Sequence, residues 1–177
     1  MLGHGAGGGV TAPDLVAATA AAGEHGVTVA LVEQPYRVAG RRSPAPAHQL
    51  DTAWIEVVAQ LRDEPLRRLP LLVGGRSSGA RVACRTSGTT GAVGVVCLAF
   101  PLQPPRRAGA TPAVSRLDEL DAVSVPTLVV QGVRDPFGVP PVGEHRTVAL
   151  VQSDHSLRSD VPALRAAVGH WVEWVLG

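Results

Sequence analysis

The chain has 177 residues, 45% hydrophobic and 18% charged, which predicts one globular domain over 1–177 with a sizeable buried core. Sixteen arginines, no lysine and fifteen acids leave a formal charge of +1. That excludes a global field for nucleic acid or an anionic membrane, and it removes Schiff-base and P-loop lysine chemistry. Cys84 and Cys97 are the only cysteines, too few for a disulfide framework and in no metal-binding spacing, so two reduced, buried thiols are expected.

The alanine-rich start lacks the features of an export signal: no cation precedes Arg37, and Pro13 and Asp14 interrupt the apolar stretch. The longest apolar run, 92–102, is about half a membrane span and contains Gly94 and Pro101, so a cytoplasmic protein is expected. Pro13 is a good first helical residue, with Leu15, Ala18 and Ala22 on one face before Gly23 and Gly26 stop the helix. Segment 27–33, VTVALVE, reads as a strand, and 34–47 as a Pro/Arg-rich loop. Over 48–62, Leu50, Trp54, Val57, Val58 and Leu61 recur at helical spacing. Short apolar runs at 69–73, 92–100, 127–131 and 147–152 read as buried strands. A proline-rich excursion at 101–112 and a short helix at 115–121 interrupt them, and 160–176 carries Leu164, Ala167, Val168, Trp171 and Val175 on one face of a closing helix. Strands alternating with helices predict an α/β fold with a mostly parallel sheet and helices on both faces.

Between strand 69–73 and a helical segment lies Gly75-Arg76-Ser77-Ser78-Gly79, a G-x-S-x-G in the strand, turn, helix context of a nucleophile elbow. Such a turn lifts the Ser77 hydroxyl above the sheet and leaves the Ser78 amide at the positive end of a helix, where it can bind an oxyanion. Serine is a weak nucleophile alone and needs a histidine base held by a carboxylate, here in the order Ser, Asp, His. Asp135 and His155 each follow the carboxyl end of a predicted strand, the edge at which open parallel sheets bind ligands. Asp154 is the competing carboxylate, but its neighbour position in an extended backbone points it away from His155. His25, His48, His145 and His170 read as surface or packing residues, and no metal or cofactor is expected.

The glycine-rich start, Gly3-His4-Gly5-Ala6-Gly7-Gly8-Gly9, reads as an oxyanion loop whose amides near Gly5 and Ala6 complement that of Ser78. Gly3, Gly5 and Gly8 also fit a dinucleotide-binding G-x-G-x-x-G, with Glu33 at the next strand's end. That motif needs a helix opening within the glycines, however, and the start signal at Pro13 comes later.

At these residues the chain resembles the α/β-hydrolase superfamily, and within it the small dienelactone-hydrolase-like proteins related to a eukaryotic non-specific-lethal complex subunit. The resemblance rests on His4-Gly5-Ala6-Gly7, Gln34-Pro35-Tyr36 with Gly40-Arg41-Arg42, the elbow with Arg81, Pro101 with Pro104-Pro105, Gly132 with Asp135-Pro136-Phe137-Gly138, and Asp154-His155-Ser156. It implies an α/β-hydrolase fold with Ser77 as nucleophile, His155 as general base and acid, and Asp135 as orienting partner. Dienelactone hydrolases proper use cysteine, so Ser77 points to another activity. The fold carries strands before the His-Gly loop, and here only Met1, Leu2 and Gly3 remain of the central one. That predicts a short central ladder, missing N-terminal strands and a natural start upstream. A small ester, thioester or lactone is the expected substrate, with Tyr36, Arg41 and Arg76 beside it. Arg37, Arg42, Arg106 and Arg107 would extend a cationic rim, unless these arginines are simply solvated. The rival reading is a catalytically idle interaction module on the same fold.

Overall fold

In the computed structural model, which describes residues 1–63, 66–104 and 114–177, the chain alternates strands and helices from end to end. The elements are β1 (Leu2–Gly3), α1 (Pro13–Glu24), β2 (Leu31–Val32), α2 (Pro35–Val38), α3 (Ala47–Asp63), β3 (Leu72–Arg76), α4 (Ser78–Thr90), β4 (Gly94–Leu98), α5 (Leu117–Asp121), β5 (Thr127–Gly132), β6 (Arg146–Val151) and α6 (Val161–Leu176). The six strands form one parallel sheet in the order β2-β1-β3-β4-β5-β6.

Strand side chains alternate between two cores, because successive residues of a strand face opposite sides. Val96, Leu98, Leu128 and Val130 meet Leu15, Ala18, Leu164 and Trp171 of α1 and α6 on one face. On the other, Val95, Cys97 and Val129 meet Leu50, Trp54, Ala80 and Ala83 of α3 and α4. Both faces of the central strands are therefore covered, which is why their sequences read as unbroken apolar runs. No helix among the described residues is long and apolar enough to cross a membrane.

Four expectations need correction or bounding. The strand expected at 27–33 shrinks to Leu31–Val32, because β1 offers only Leu2 and Gly3 to pair with Leu31 and Val32. The strand expected at 69–73 instead runs Leu72–Arg76, through the two glycines and up to the elbow. Within the expected loop 34–47, Pro35 starts the one-turn helix α2. Of the excursion at 101–112, residues 105–112 lie outside the described residues.

The central position of β1 is as expected: Leu2 pairs with Leu31 on one side and Gly74 on the other. The Met1 amine donates to the Leu72 carbonyl at 2.6 Å, and burial pushes its pKa down to about 6. An apolar cleft of about 200 Å³, lined by Met1, Leu2, Val29, Leu71 and Val172 among others, opens at the amino ends of β1 and β3. Cleft and elbow lie at opposite ends of the sheet, so volume alone does not locate the site.

Candidate active site

β3 ends by folding back directly into α4, and Ser77 sits at the turn with φ 50° and ψ −108°. A non-glycine residue in that region stores roughly 1–3 kcal/mol of strain and persists only where its surroundings over-determine it. Crowding supplies that determination. A Cβ added at Gly75 would lie 2.4 Å from the Gly3 carbonyl oxygen, and one at Gly79 only 2.3 Å from the same atom. Strand β1, the elbow and the start of α4 therefore meet backbone to backbone, and the Ser77 amide donates to the Leu98 carbonyl at 2.9 Å.

From this turn the Ser77 hydroxyl reaches His155 Nε2 at 3.0 Å, and His155 Nδ1 reaches Asp135 Oδ2 at 2.8 Å. A carboxylate only accepts, so Nδ1–H donates to it and leaves Nε2 as the acceptor for the serine proton. Residues 77, 135 and 155, carried by the loops after β3, β5 and β6, thus converge at the carboxyl edge of the sheet. The Asp135 side chain is fully buried. Its Oδ1 accepts from the Phe137 amide at 2.9 Å, and its Oδ2 accepts from Gln131 Nε2 at 2.8 Å. Phe137 also lies over the imidazole, ring centroids 4.3 Å apart and tilted by 36°. Asp154 is turned elsewhere: its Oδ1 accepts from the Ser156 amide at 2.8 Å and hydroxyl at 2.6 Å, bonds that hold its pKa below the usual carboxylate range.

The His4–Ala6 turn presses on the elbow, so that a Cβ on Gly5 would stand 3.3 Å from Ser77 Cβ. His4 is buried; Nδ1–H donates to the Gly5 carbonyl at 2.8 Å while Nε2 accepts from the Gln34 amide at 2.9 Å. The imidazole is therefore a structural bolt between this turn and α2. Ala6 is exposed beside the elbow, and Ser78 opens α4, where helix amides lack intrahelical partners. After the glycines comes a turn, and α1 begins only at Pro13, so no helix opens within a dinucleotide motif.

Residues 1–162 match the family model described as an alpha/beta hydrolase domain. The chain belongs to the alpha/beta hydrolases. No curated protein matches it. Solved structures similar to this chain include Est1E from Butyrivibrio proteoclasticus, with TM-score 0.76, 13% identity, and coverage of 99% of this chain and 86% of that one. XC6422 from Xanthomonas campestris, described as an a/b serine hydrolase without lid, is similar with TM-score 0.71, 19% identity and coverage of 99% and 83%. An alpha-beta serine hydrolase homologue from Coxiella burnetii gives TM-score 0.72, 13% identity and coverage of 96% and 82%. At these identities the likeness is one of fold.

The residues expected beside a substrate divide. Arg41 is exposed, its amide held by the Tyr36 carbonyl at 2.8 Å. Tyr36 is buried edge-on against His4, and burial pushes its phenol pKa up against the opposing effects of Arg37 and the Gly7 amide. The Arg76 guanidinium turns inward, its Nε 2.7 Å from Asp14 Oδ2 and its Nη2 donating to the His155 carbonyl at 3.2 Å. Arg37 is half-buried, Arg42 is exposed, and Arg106 and Arg107 lie outside the described residues. Gln131 and Asp14 escaped the sequence reading. Each carried one signal, a polar residue where apolar periodicity called for none: Gln131 closes the run TLVVQ, and Asp14 precedes the buried Leu15.

Proposed function

We propose that this chain is a serine hydrolase acting on small esters, thioesters or lactones, with Ser77 as nucleophile, His155 as general base and acid, and Asp135 holding the imidazole. The observation that carries this reading is the unbroken chain of contacts, 3.0 Å from Ser77 to His155 and 2.8 Å from His155 to Asp135, at a strained elbow. In the first step Ser77 Oγ attacks the carbonyl carbon as its proton passes to Nε2. The Ala6 and Ser78 amides receive the oxyanion. Collapse breaks the bond to the alkoxide or thiolate, which leaves with the proton from His155; water then attacks the acyl-serine, giving a proton to Nε2, and collapse breaks the acyl–Oγ bond as Nε2 returns that proton to Ser77 and the acid departs. Asp135 stays ionised and fixes the tautomer that makes Nε2 the base.

The resemblance to cysteine-dependent dienelactone hydrolases extends to the loops but not to the nucleophile, so simple esters and thioesters are the first substrates to try. Arg41 is exposed, and in this reading its guanidinium would pair with a carboxylate-bearing substrate.

The test is labelling with a fluorophosphonate probe, followed by a panel of short-chain aryl esters and thioesters. Wild type becomes labelled and turns over part of the panel. Ser77→Ala keeps its fold, takes no label and loses turnover by on the order of 10⁶. A folded wild type that neither labels nor turns over any panel member would favour the idle interaction module.

A further inference from the structure

Residue 76 stands between the elbow glycine and the serine, and its side chain joins three other segments to the elbow. Its Nε lies 2.7 Å from Asp14 Oδ2 in the first turn of α1. Nη2 donates to the His155 carbonyl at 3.2 Å. Nη1 lies against Gly5, where an added Cβ would come within 3.0 Å of it. Asp14 is wholly buried, and the Arg76 side chain is only 19% exposed.

For stability alone this arrangement is a poor choice. Taking a carboxylate and a guanidinium out of water costs several kcal/mol, and apolar residues of similar volume commonly hold a fold as well or better. Desolvation pushes the Asp14 pKa up even though the adjacent Arg76 works against it. What the pair provides that apolar packing would not is direction. The imidazole is gripped at both nitrogens, but those bonds act on the ring; the hydrogen bond that ties the elbow to the His155 backbone comes from Arg76. The guanidinium pairs with Asp14 through one nitrogen and donates to that carbonyl from another, whereas an ammonium is a single point charge.

We infer that Arg76, backed by Asp14, is a positioning residue of the hydrolytic site, locking the His155 loop and the Gly5 turn to the elbow at one fixed distance from Ser77 Oγ. This rests on the serine-hydrolase reading above. Arg76 acts through the backbone of the base and through the oxyanion turn, and touches no reacting atom.

The test compares wild type with Arg76→Lys and with the paired replacement Asp14→Leu/Arg76→Met, which leaves no buried charge alone. Thermal unfolding is measured beside fluorophosphonate labelling and hydrolysis of p-nitrophenyl butyrate. Melting temperatures of both variants stay within about 4 °C of wild type, the scale of roughly 1 kcal/mol for a chain of this size. Labelling rate and kcat fall by about 10- to 100-fold, as expected when reacting groups are displaced by about 1 Å, while KM is unchanged. A folded variant of either kind that labels at the wild-type rate overturns the inference. Should Arg76→Lys fail to fold, the paired replacement decides alone. An unlabelled wild type is a different result, sinking the hydrolase reading itself.

Discussion

Helix α4 begins in one physical environment and runs through another. At its start Gly79 is jammed against the Gly3 backbone, Ser77 is held at φ 50°, and the Asp14 carboxyl is buried under Arg76. Farther along, on the side facing α3 and α5, Arg85 grips Asp51 through Nε at 2.9 Å and Nη2 at 2.7 Å, and Arg81 holds Glu119 through Nε at 2.8 Å. The hydroxyls of Thr86, Ser87 and Thr90 all donate to carbonyls one turn back in the same helix. The site end consumes folding free energy in strain and desolvation, and the flank supplies it through paired charges and a covered apolar face. Stability and site geometry are thus assigned to different stretches of one helix.

Exchanging single glycines on α4 tests that division most severely. Gly79→Ala would set a methyl 2.3 Å from the Gly3 carbonyl oxygen and 2.6 Å from its carbon, with backbone rather than a flexible side chain as the obstacle. We expect a loss of about 3 kcal/mol or more, or no folded protein. Gly88, nine residues on, has nothing within 4 Å of its added methyl. Gly88→Ala should stabilise by about 0.5–1 kcal/mol, the helix-propensity difference. Urea unfolding of both variants measures the contrast, and equal effects would erase the distinction between the two regions.

How much of this was legible in the sequence follows the same division. Periodicity located α3, α6 and the strands β4, β5 and β6 within a few residues, because each buries a face whose spacing is written locally. The elbow was legible too, since close backbone approach demands glycine at 75 and 79 and leaves a motif. Gly74 and Gly75 nonetheless misled the strand boundary. They read as turn residues, yet they belong to β3, where a Cβ at Gly74 would come 2.3 Å from the Val96 carbonyl oxygen of β4. Pairing limits the reach of β2 more than its apolar sequence does. The Arg76–Asp14 tie spans 62 positions and the Arg85–Asp51 tie 34, and such pairings have no local signature at all.

A smaller effect is expected where the site end is held by a single uncharged side chain, the Gln131 amide. Gln131 Nε2 faces Asp135 Oδ2 at 2.8 Å, the Gly138 carbonyl at 2.8 Å and the Phe100 carbonyl at 3.1 Å. Three acceptors around one nitrogen fix which end of the amide points inward. Gln131→Met keeps the length and removes the donor, leaving these acceptors short by one partner. It should cost about 1–3 kcal/mol in urea unfolding. Fluorophosphonate labelling should slow as well, because Asp135 loses one of its anchors. If unfolding free energy and labelling rate both match wild type, the amide is not what holds the Asp135 loop.

The finest distinction between the regions is the sign of their response to pH. At Asp14 burial raises the carboxyl pKa above 3.8 and outweighs the Arg76 charge. A raised carboxyl contributes stability that is present below its unfolded pKa and lost as pH climbs through the folded value. At Glu119 burial also works upward, but the bonds and charges of Arg81 and Arg85 prevail and hold the pKa below 4.5. Its contribution is present above the unfolded value and lost as pH falls through the folded one. Asp14→Asn should therefore gain stability relative to wild type as pH rises from about 3.5 to 6, and Glu119→Gln should lose it, each by on the order of 1 kcal/mol. Any pH-independent penalty for leaving an arginine without its partner shifts a curve without changing its slope, so urea midpoints at four or five pH values isolate the titration. Slopes of the same sign would mean that both carboxyls sit in one kind of environment, and that α4 does not divide as its contacts indicate.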